Sequence, residues 1–540
     1  MVSCSMSGKK INAILLIVCS FFILGGCYSL EKAGRSKIIV TPFDYGLSQA
    51  RSGEERYWVL YNTHVAAAAN GCRVDYSGIK CLDLEIPKDA KSIPLTELND
   101  FKGVEFRVKN TQKHFFLFSY SSKSSPIKVE KRDIDKGNFK KYPQLAKGHV
   151  LLSVADDKPW VLNREGYRYG HVRKDILLLN NGMAQNKPIM PYNNDYSSPS
   201  CKFYVLQNGN MKVSNVILSR SENSTFRTYL VSLSGIDGIS FENVTINTPE
   251  NKGENDVAIS IKESTNVTLK NVRINGTYSR SDHSGYGVSL NNIWNFKVSN
   301  MYAYGNWGVF GTNNVNTASF ENCDINRFDI HCYGRDIKFK NVTFRNKYNQ
   351  FASVFGTIRF DNCTFINFCP VLNGTSYNAY VGYNIVLNNC LFYIRKGKNI
   401  LIDQGRIDDK VNARQELSNR CIPNISIKNL KVIVPIEVSN IYLFYFRGKE
   451  PIKRSVDYLS EISISGVSFV YSDERALANF YLSNLPLRIT KDMNITLKDI
   501  DLISKTTVEK KGYGKFVKNL NLVSKKSVVR ESNIKANYVD

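Results

Sequence analysis

One short pattern is copied along most of this 540-residue chain, and it leaves few folds open. A hydrophobic-x-hydrophobic-x-Asn-hydrophobic motif reads MKVSNVIL over 211–218 and returns as ISFENVTI, VTLKNVRI, FKVSNMYA, ASFENCDI, IKFKNVTF, IRFDNCTF, IVLNNCLF, ISIKNLKV and KFVKNLNL. Its asparagines are Asn215, Asn243, Asn271, Asn300, Asn322, Asn341, Asn362, Asn389, Asn429 and Asn519, while Gly466 and Asp499 hold the matching place in two coils between the last pair. Spacings run from 19 to 40 residues. A repeat of that length marks a solenoid, because no single unit can bury its apolar face until a neighbour stacks on it.

Within a unit the apolar residues alternate, as in Ile239, Phe241, Val244 and Ile246, so it reads as strand, bend at Asn, strand, and a helical repeat is excluded. Asparagine at the bend tolerates a left-handed backbone, and its amide can bond to the Asn of the coils on either side, forming a ladder. Medium or large apolar residues or Cys follow it, from Val244 and Val272 through Cys323, Val342, Cys363 and Cys390, which predicts one buried column. On these motifs, over roughly 204–523, the chain resembles the right-handed parallel β-helix repeat proteins of the pectin-lyase-like superfamily. The resemblance implies an all-β right-handed parallel β-helix, and it carries no particular activity, since one scaffold hosts many functions.

At the N-terminus, Lys9 and Lys10 precede an apolar stretch, 11–24, that is too short for a membrane span. It runs into Leu24-Gly25-Gly26-Cys27, which resembles a bacterial lipobox. That likeness implies removal of 1–26 and lipid attachment at Cys27; an ordinary secretory signal or an uncleaved anchor is the alternative. Tyr28 and Ser29 follow, with no Asp retention signal, so the expected location is the outer membrane or cell surface of a Gram-negative bacterium. Of 12 cysteines, Cys4 and Cys19 leave with the signal and Cys27 takes the lipid, so nine remain. Cys323, Cys363 and Cys390 are expected to pack as small hydrophobes, and Cys72 with Cys81 could form a disulfide after export.

The formal charge is +24, and a mature chain without Lys9 and Lys10 keeps +22. An exported protein of that balance favours anionic partners, acidic polysaccharide first and anionic lipid second, with nucleic acid not expected; a merely solubilising lysine surface is the plainer reading. The expected organisation is a signal peptide over 1–26, a tether over 27–57, an N-terminal cap with irregular first coils over 58–200, the regular β-helix over 201–523 and a tail over 524–540. Thr63, HVAAAANG and Gly71 predict a short capping helix. The looser pattern up to about residue 200 also fits a separate N-terminal domain.

Coils between Asn300 and Asn362 are compact, while SRSDHSGYG before them and the stretches after Asn389 are longer, an arrangement that predicts a groove with a short-coil floor. On that floor lies Arg327-Phe-Asp329-Ile-His331-Cys-Tyr333-Gly-Arg335. Residues two apart on a strand share a face, so Phe328, Ile330 and Cys332 are expected inside and Arg327, Asp329 and His331 together outside. Eliminative cleavage of a uronic-acid polymer needs a cation on the sugar carboxylate and a base for the neighbouring proton. Arg327 or Arg335 suits the first task, His331 or Tyr333 the second, and Asp329 would orient the imidazole. Tyr304, Asn313 and Asn314 are further expected contacts for sugar, with Trp307 in the core. Hydrolysis would need a second carboxylate, for which Asp282 and Asp324 are the weak choices. The basic-aromatic run 164–174 could hold an anionic chain or be a solvated loop. No paired-Asp signature, zinc spacing or phosphate loop is visible, and Ca2+, though chemically conceivable, has no visible motif.

Taken together, the sequence points to a surface polysaccharide lyase, with a glycoside hydrolase or a non-catalytic glycan-binding or adhesive lipoprotein as alternatives on the same scaffold.

Overall fold

The computed structural model describes residues 39–539 except 113–114, 158–171, 190, 193–197, 207–209, 222–224, 226–227, 248–256, 276–285, 304–307, 346–348, 352–353, 367–371, 374–382, 407–420, 423, 448–456, 459–460, 473–475, 485–486, 490–491, 503–513 and 523–524. Each repeat strand pairs in parallel with its counterpart one coil on. Met211–Arg220 lies beside Asp237–Asn247, which lies beside Val257–Asn275, and the pairing continues through one 26-stranded sheet. The chain is a right-handed parallel β-helix. Among the described residues no helix is long and apolar enough to cross a membrane.

The ladder is present. Its asparagines hold left-handed backbones, from φ 53° at Asn300 to φ 57° at Asn429. Nδ2 of Asn243 donates to Oδ1 of Asn215 at 2.9 Å, and Asn271 donates to Asn243 at 3.0 Å. At the lower end Asn215 donates to Asp100. One repeat departs from expectation. Asn519 follows a strand that stacks on Ala478–Ser483, a different side of the coil, and its amide donates to the Ser483 carbonyl. The ladder instead passes from Asp499 to Asn533, which donates to it at 2.7 Å. The last coil, Val528–Lys535 and Asn537–Val539, therefore continues the stack where a tail was expected.

The column after the ladder is buried throughout its length, from Val216 and Val244 through Cys323, Val342, Cys363 and Cys390 to Ile500. Burial pushes the thiols of Cys323 and Cys390 up to about 11, so they stay neutral and act as packing groups. Phenylalanines stack beside them, with Phe320, Phe339 and Phe360 at ring separations of 4.8 and 4.9 Å. Identical residues meet because coil follows coil in register.

The N-terminal end is closed by helix α1, Gly53–Asn70. It begins ten residues before the expected cap: Ser52 is the N-cap, in a capping box with Glu55. Thr63 sits inside the helix, buried, and its hydroxyl donates to the Val59 carbonyl. The first two turns carry charge on one side and Tyr57 and Leu60 on the buried side, a stripe that the Ala run alone does not reveal. Gly71 ends the helix in the left-handed region, as expected. Cys72 and Cys81 are both free thiols, so the expected disulfide is absent.

Between the first coil and the regular repeats, five strands form an antiparallel sheet: Ser125–Ile127, His149–Ala155, Lys174–Asn180, Met183–Ala184 and Ser200–Val205. Phe139, Leu152, Leu177 and Leu179 give it a core of its own. The first coil, by contrast, belongs to the solenoid, with Leu98–Lys109 stacked under Met211–Arg220. Irregular coil and a second sheet with its own core thus both occur in this stretch.

Candidate functional site

Strand Phe328–Arg345 lies beside Gly308–Ile325, with Phe310 opposite Phe328 and Thr312 opposite Ile330. Phe328 and Ile330 enter the core, as the two-residue period demands. The register then slips, since Asn313 faces Cys332 and His331 is left as the extra residue of a bulge. A bulge bends its strand and re-aims the side chain it carries.

Arg327, Asp329 and His331 do meet. Arg327 Nη2 donates to Asp329 Oδ2 at 2.6 Å, and His331 Nε2 is 3.2 Å from the same oxygen. Tyr286, two coils earlier, places its hydroxyl 2.7 Å from that oxygen and 2.7 Å from His331 Nε2. Gln350 Oε1 accepts from Arg327 at 3.1 Å. Two glycines make the room: a methyl at Gly311 would stand 2.4 Å from the Tyr286 ring, and one at Gly308 3.1 Å from Arg327. Glycine inside a strand signals such a close approach.

Their exposure corrects the sequence reading. Arg327 and Asp329 side chains are 0% exposed, whereas His331 keeps 24%. The three share one place without sharing a solvent-open face, because Tyr286 reaches across the intervening coil and an ion pair formed this tightly can be desolvated. Arg327 is consequently committed to Asp329 and is not presented to a sugar carboxylate.

Burial raises the Asp329 carboxyl, but the Arg327 charge, then His331 and the hydrogen bonds from His331 and Tyr286, outweigh it and hold the group below its ordinary range. Asp329 is therefore an anion at neutral pH. An imidazole donating Nε2–H to that anion is fixed in orientation, the arrangement that suits a base or acid at the solvent edge.

The other expected site residues are elsewhere. Tyr333 turns a corner with φ 58° and is buried at 1% exposure, which withdraws it as a solvent-facing base. Arg335, beyond that corner, donates to the carbonyls of Pro188 and Ile189 in the inserted unit. Asn314 accepts from the Lys174 amide at 2.7 Å, so it too docks the insertion. Asn313 is half-buried on its strand, where it pairs with Cys332. Asp324 pairs with Arg345 at 2.9 Å. Tyr304, Trp307, Asp282, Cys27 and most of the 164–174 run lie outside the described residues, as does most of the SRSDHSGYG insertion expected to wall the groove, of which Tyr286 and Gly287 are described. Tyr286 and Gln350 were missed; the sole sequence hint was the pair of glycines in NWGVFG. Among the described residues no three His, Cys, Asp or Glu side chains gather to hold a metal ion.

A second buried charge cluster sits in the insertion. Arg173 stacks its guanidinium 3.6 Å from the centre of the Tyr192 ring, reaches Asp156 at 3.1 Å and donates to the Pro191 carbonyl. Asp175, beside it, binds the Tyr192 hydroxyl at 2.9 Å and the Ile189 amide at 2.8 Å. Burial pushes Asp175 up to about 7, against the opposing pull of Arg173. Part of the run read as a binding or solvated loop is thus an interior ion cluster.

No protein-family model matches this chain, and no curated protein matches it. Among solved structures it is similar to the tailspike gp61 of Pseudomonas phage phi297, at 12% identity over 92% of this chain and 83% of that one, with a TM-score of 0.43. It is also similar to the Gp54 tailspike of Acinetobacter baumannii bacteriophage AP22, solved in complex with A. baumannii capsular saccharide, at 12% identity over 83% and 77% with a TM-score of 0.44. PfbA, a surface adhesin of Streptococcus pneumoniae, matches at 11% identity over 91% and 93% with a TM-score of 0.27. Likeness at this level transfers no residue role.

Proposed function

We propose that this chain is an exported, lipid-anchored β-helix protein that cleaves a uronic-acid-containing polysaccharide by β-elimination at His331. The observation that carries the reading is the hydrogen-bonded set of Asp329, Tyr286 and His331, of which the imidazole reaches solvent. His331 would take the proton next to the sugar carboxylate, whose charge would have to be met by a cation other than Arg327 and Arg335, both engaged within the protein. The electron pair of that C–H bond forms the C=C bond as the glycosidic C–O bond breaks, and the departing oxygen takes a proton from water. Asp329 holds the ring in orientation, and Arg327 keeps Asp329 ionised, in place of the substrate-binding role expected for it. Tyr286 joins the site as a bridge between carboxylate and imidazole.

A second reading, a non-catalytic glycan-binding or adhesive protein, is favoured by the complete burial of Arg327 and Asp329. Among the described residues the site gathers one carboxylate, where hydrolysis needs two. Unsaturated-sugar absorbance on a panel of uronic-acid polymers separates these. Product from the wild type, lost in His331→Ala, supports elimination; binding with no product from any polymer supports the second reading; reducing ends without unsaturation would restore the hydrolase. Lipidation at Cys27, implied by the lipobox likeness, is tested by palmitate labelling, which Cys27→Ala should abolish.

A further inference from the structure

The sheet face leading into the ladder carries another surface. Three residues before each ladder position, successive coils present Lys212, Ser240, Thr268, Lys297, Ser319, Lys338 and Arg359, each registered on the next. One residue before the ladder, Ser214, Glu242, Lys270, Ser299, Glu321, Lys340 and Asp361 stand in a second column. Lys270, Lys297, Lys338 and Lys340 are exposed.

The carboxylates are already spoken for. Glu242 lies between Lys212 at 2.7 Å and Lys270 at 3.5 Å, Asp361 between Arg359 at 2.7 Å and Lys338 at 3.7 Å, and Glu321 meets Lys340 at 2.7 Å. Six cations against three carboxylates leave a surplus of three. Lys297 has only hydroxyl residues as neighbours in its own column, Thr268 and Ser319. Coils about 4.8 Å apart make the seven-coil strip roughly 29 Å long.

We infer that this strip binds an extended, sparsely charged acidic polysaccharide lying along the helix axis. The surplus is about one cation per 10 Å, far below the one charge per ~1.7 Å of duplex nucleic acid. Neither column contains an aromatic ring on which bases could stack. What it does contain is ammonium groups for carboxylates, with Ser, Thr and the exposed edge of the ladder amides for sugar hydroxyls. The strip is separate from the His331 cluster: the strand that carries Asp329 turns at Tyr333 and again at Asp336 before it presents Lys338 and Lys340. It therefore holds the polymer and does not act on it. The choice of partner rests on the acidic-glycan reading above.

The test is equilibrium binding of polygalacturonate, heparin and chondroitin sulfate, with dextran and single-stranded DNA as controls, to the wild type and to the triple variant Lys297→Glu, Lys338→Glu, Lys340→Glu. A Gln version of the triple and a thermal melt exclude a folding effect. The expected result is binding of at least one acidic glycan that weakens with added salt and falls at least about tenfold in the Glu triple. Unchanged binding by the triple overturns the strip even if the wild type makes unsaturated product, which leaves His331 standing. Absence of binding to all three acidic glycans, or tighter binding of DNA, also overturns it. Binding lost in the triple, with no product from the wild type, upholds the strip and removes the lyase.

Discussion

Two buried arginines in this molecule face carboxylates in different ratios, and the carboxylates respond in opposite directions. In the solenoid, Arg327 has Asp329 as its one carboxylate among the described residues, with His331 and Tyr286 adding hydrogen bonds to the same oxygen, and the group is held below its usual range. In the insertion, Arg173 stands between Asp156 and Asp175, and Asp175 is pushed up to about 7 by burial, with Asp156 adding to the rise. One guanidinium can compensate one desolvated carboxylate but not two. The solenoid cluster therefore keeps a fixed anion beside an imidazole, which is useful for proton transfer. Asp175 carries its proton up to neutral pH and serves packing.

The largest break in this comparison comes from removing the cation that has one carboxylate to itself. Arg327→Leu should cost about 3–5 kcal/mol in urea unfolding, since it strands a buried charge, and adding Asp329→Leu should recover most of the loss. A single variant as stable as the wild type would mean the pair is not buried together. Next, Gly311→Ala drives a methyl into the Tyr286 ring and should cost about 1–3 kcal/mol. It should also lower turnover, where turnover is found, with thermal melting and product absorbance as the measurements. The smallest expected step is Asp156→Asn, which should lower the Asp175 value toward the ordinary carboxylate range, read by side-chain NMR.

The same contrast fixes two pH windows. Asp329 releases its proton at lower pH in the folded chain than in the unfolded one, so its contribution is present above about 3.9 and is lost as pH falls through its folded value. Asp175 holds its proton longer in the folded chain. Its contribution is full below about 3.9, declines as pH rises and is gone above about 7. Unfolding curves from pH 3 to 8 should show a loss on the acid side that Asp329→Asn removes, and a neutral-side decline that Asp175→Asn removes.

How much of this could be read from the residues follows from repetition. The ladder and its apolar column were legible because each coil states them again, and Val244, Val272, Val342 and Cys363 are all buried where the alternation put them. Asn519 misled because its strand copies the motif on another side of the coil, which strand pairing alone reveals. The grouping of Arg327, Asp329 and His331 was legible from strand spacing. Their burial was not, because it depends on Tyr286, 43 residues from Asp329, crossing a coil at Gly311. Arg173 was hidden for a similar reason: a basic run looks solvated until Asp156 is brought to it by antiparallel pairing and Tyr192 by the segment that follows Met183–Ala184.

Carboxyl-carbon NMR of Asp329 and Asp175 across pH 2.5 to 8 tests the central claim most directly. A carboxylate at Asp329 that stays ionised down to below pH 3.8, while Asp175 takes up its proton near 7, is the predicted result. Titration of Asp329 above 4, or of both groups at one ordinary carboxylate value, would contradict a fixed anion behind His331.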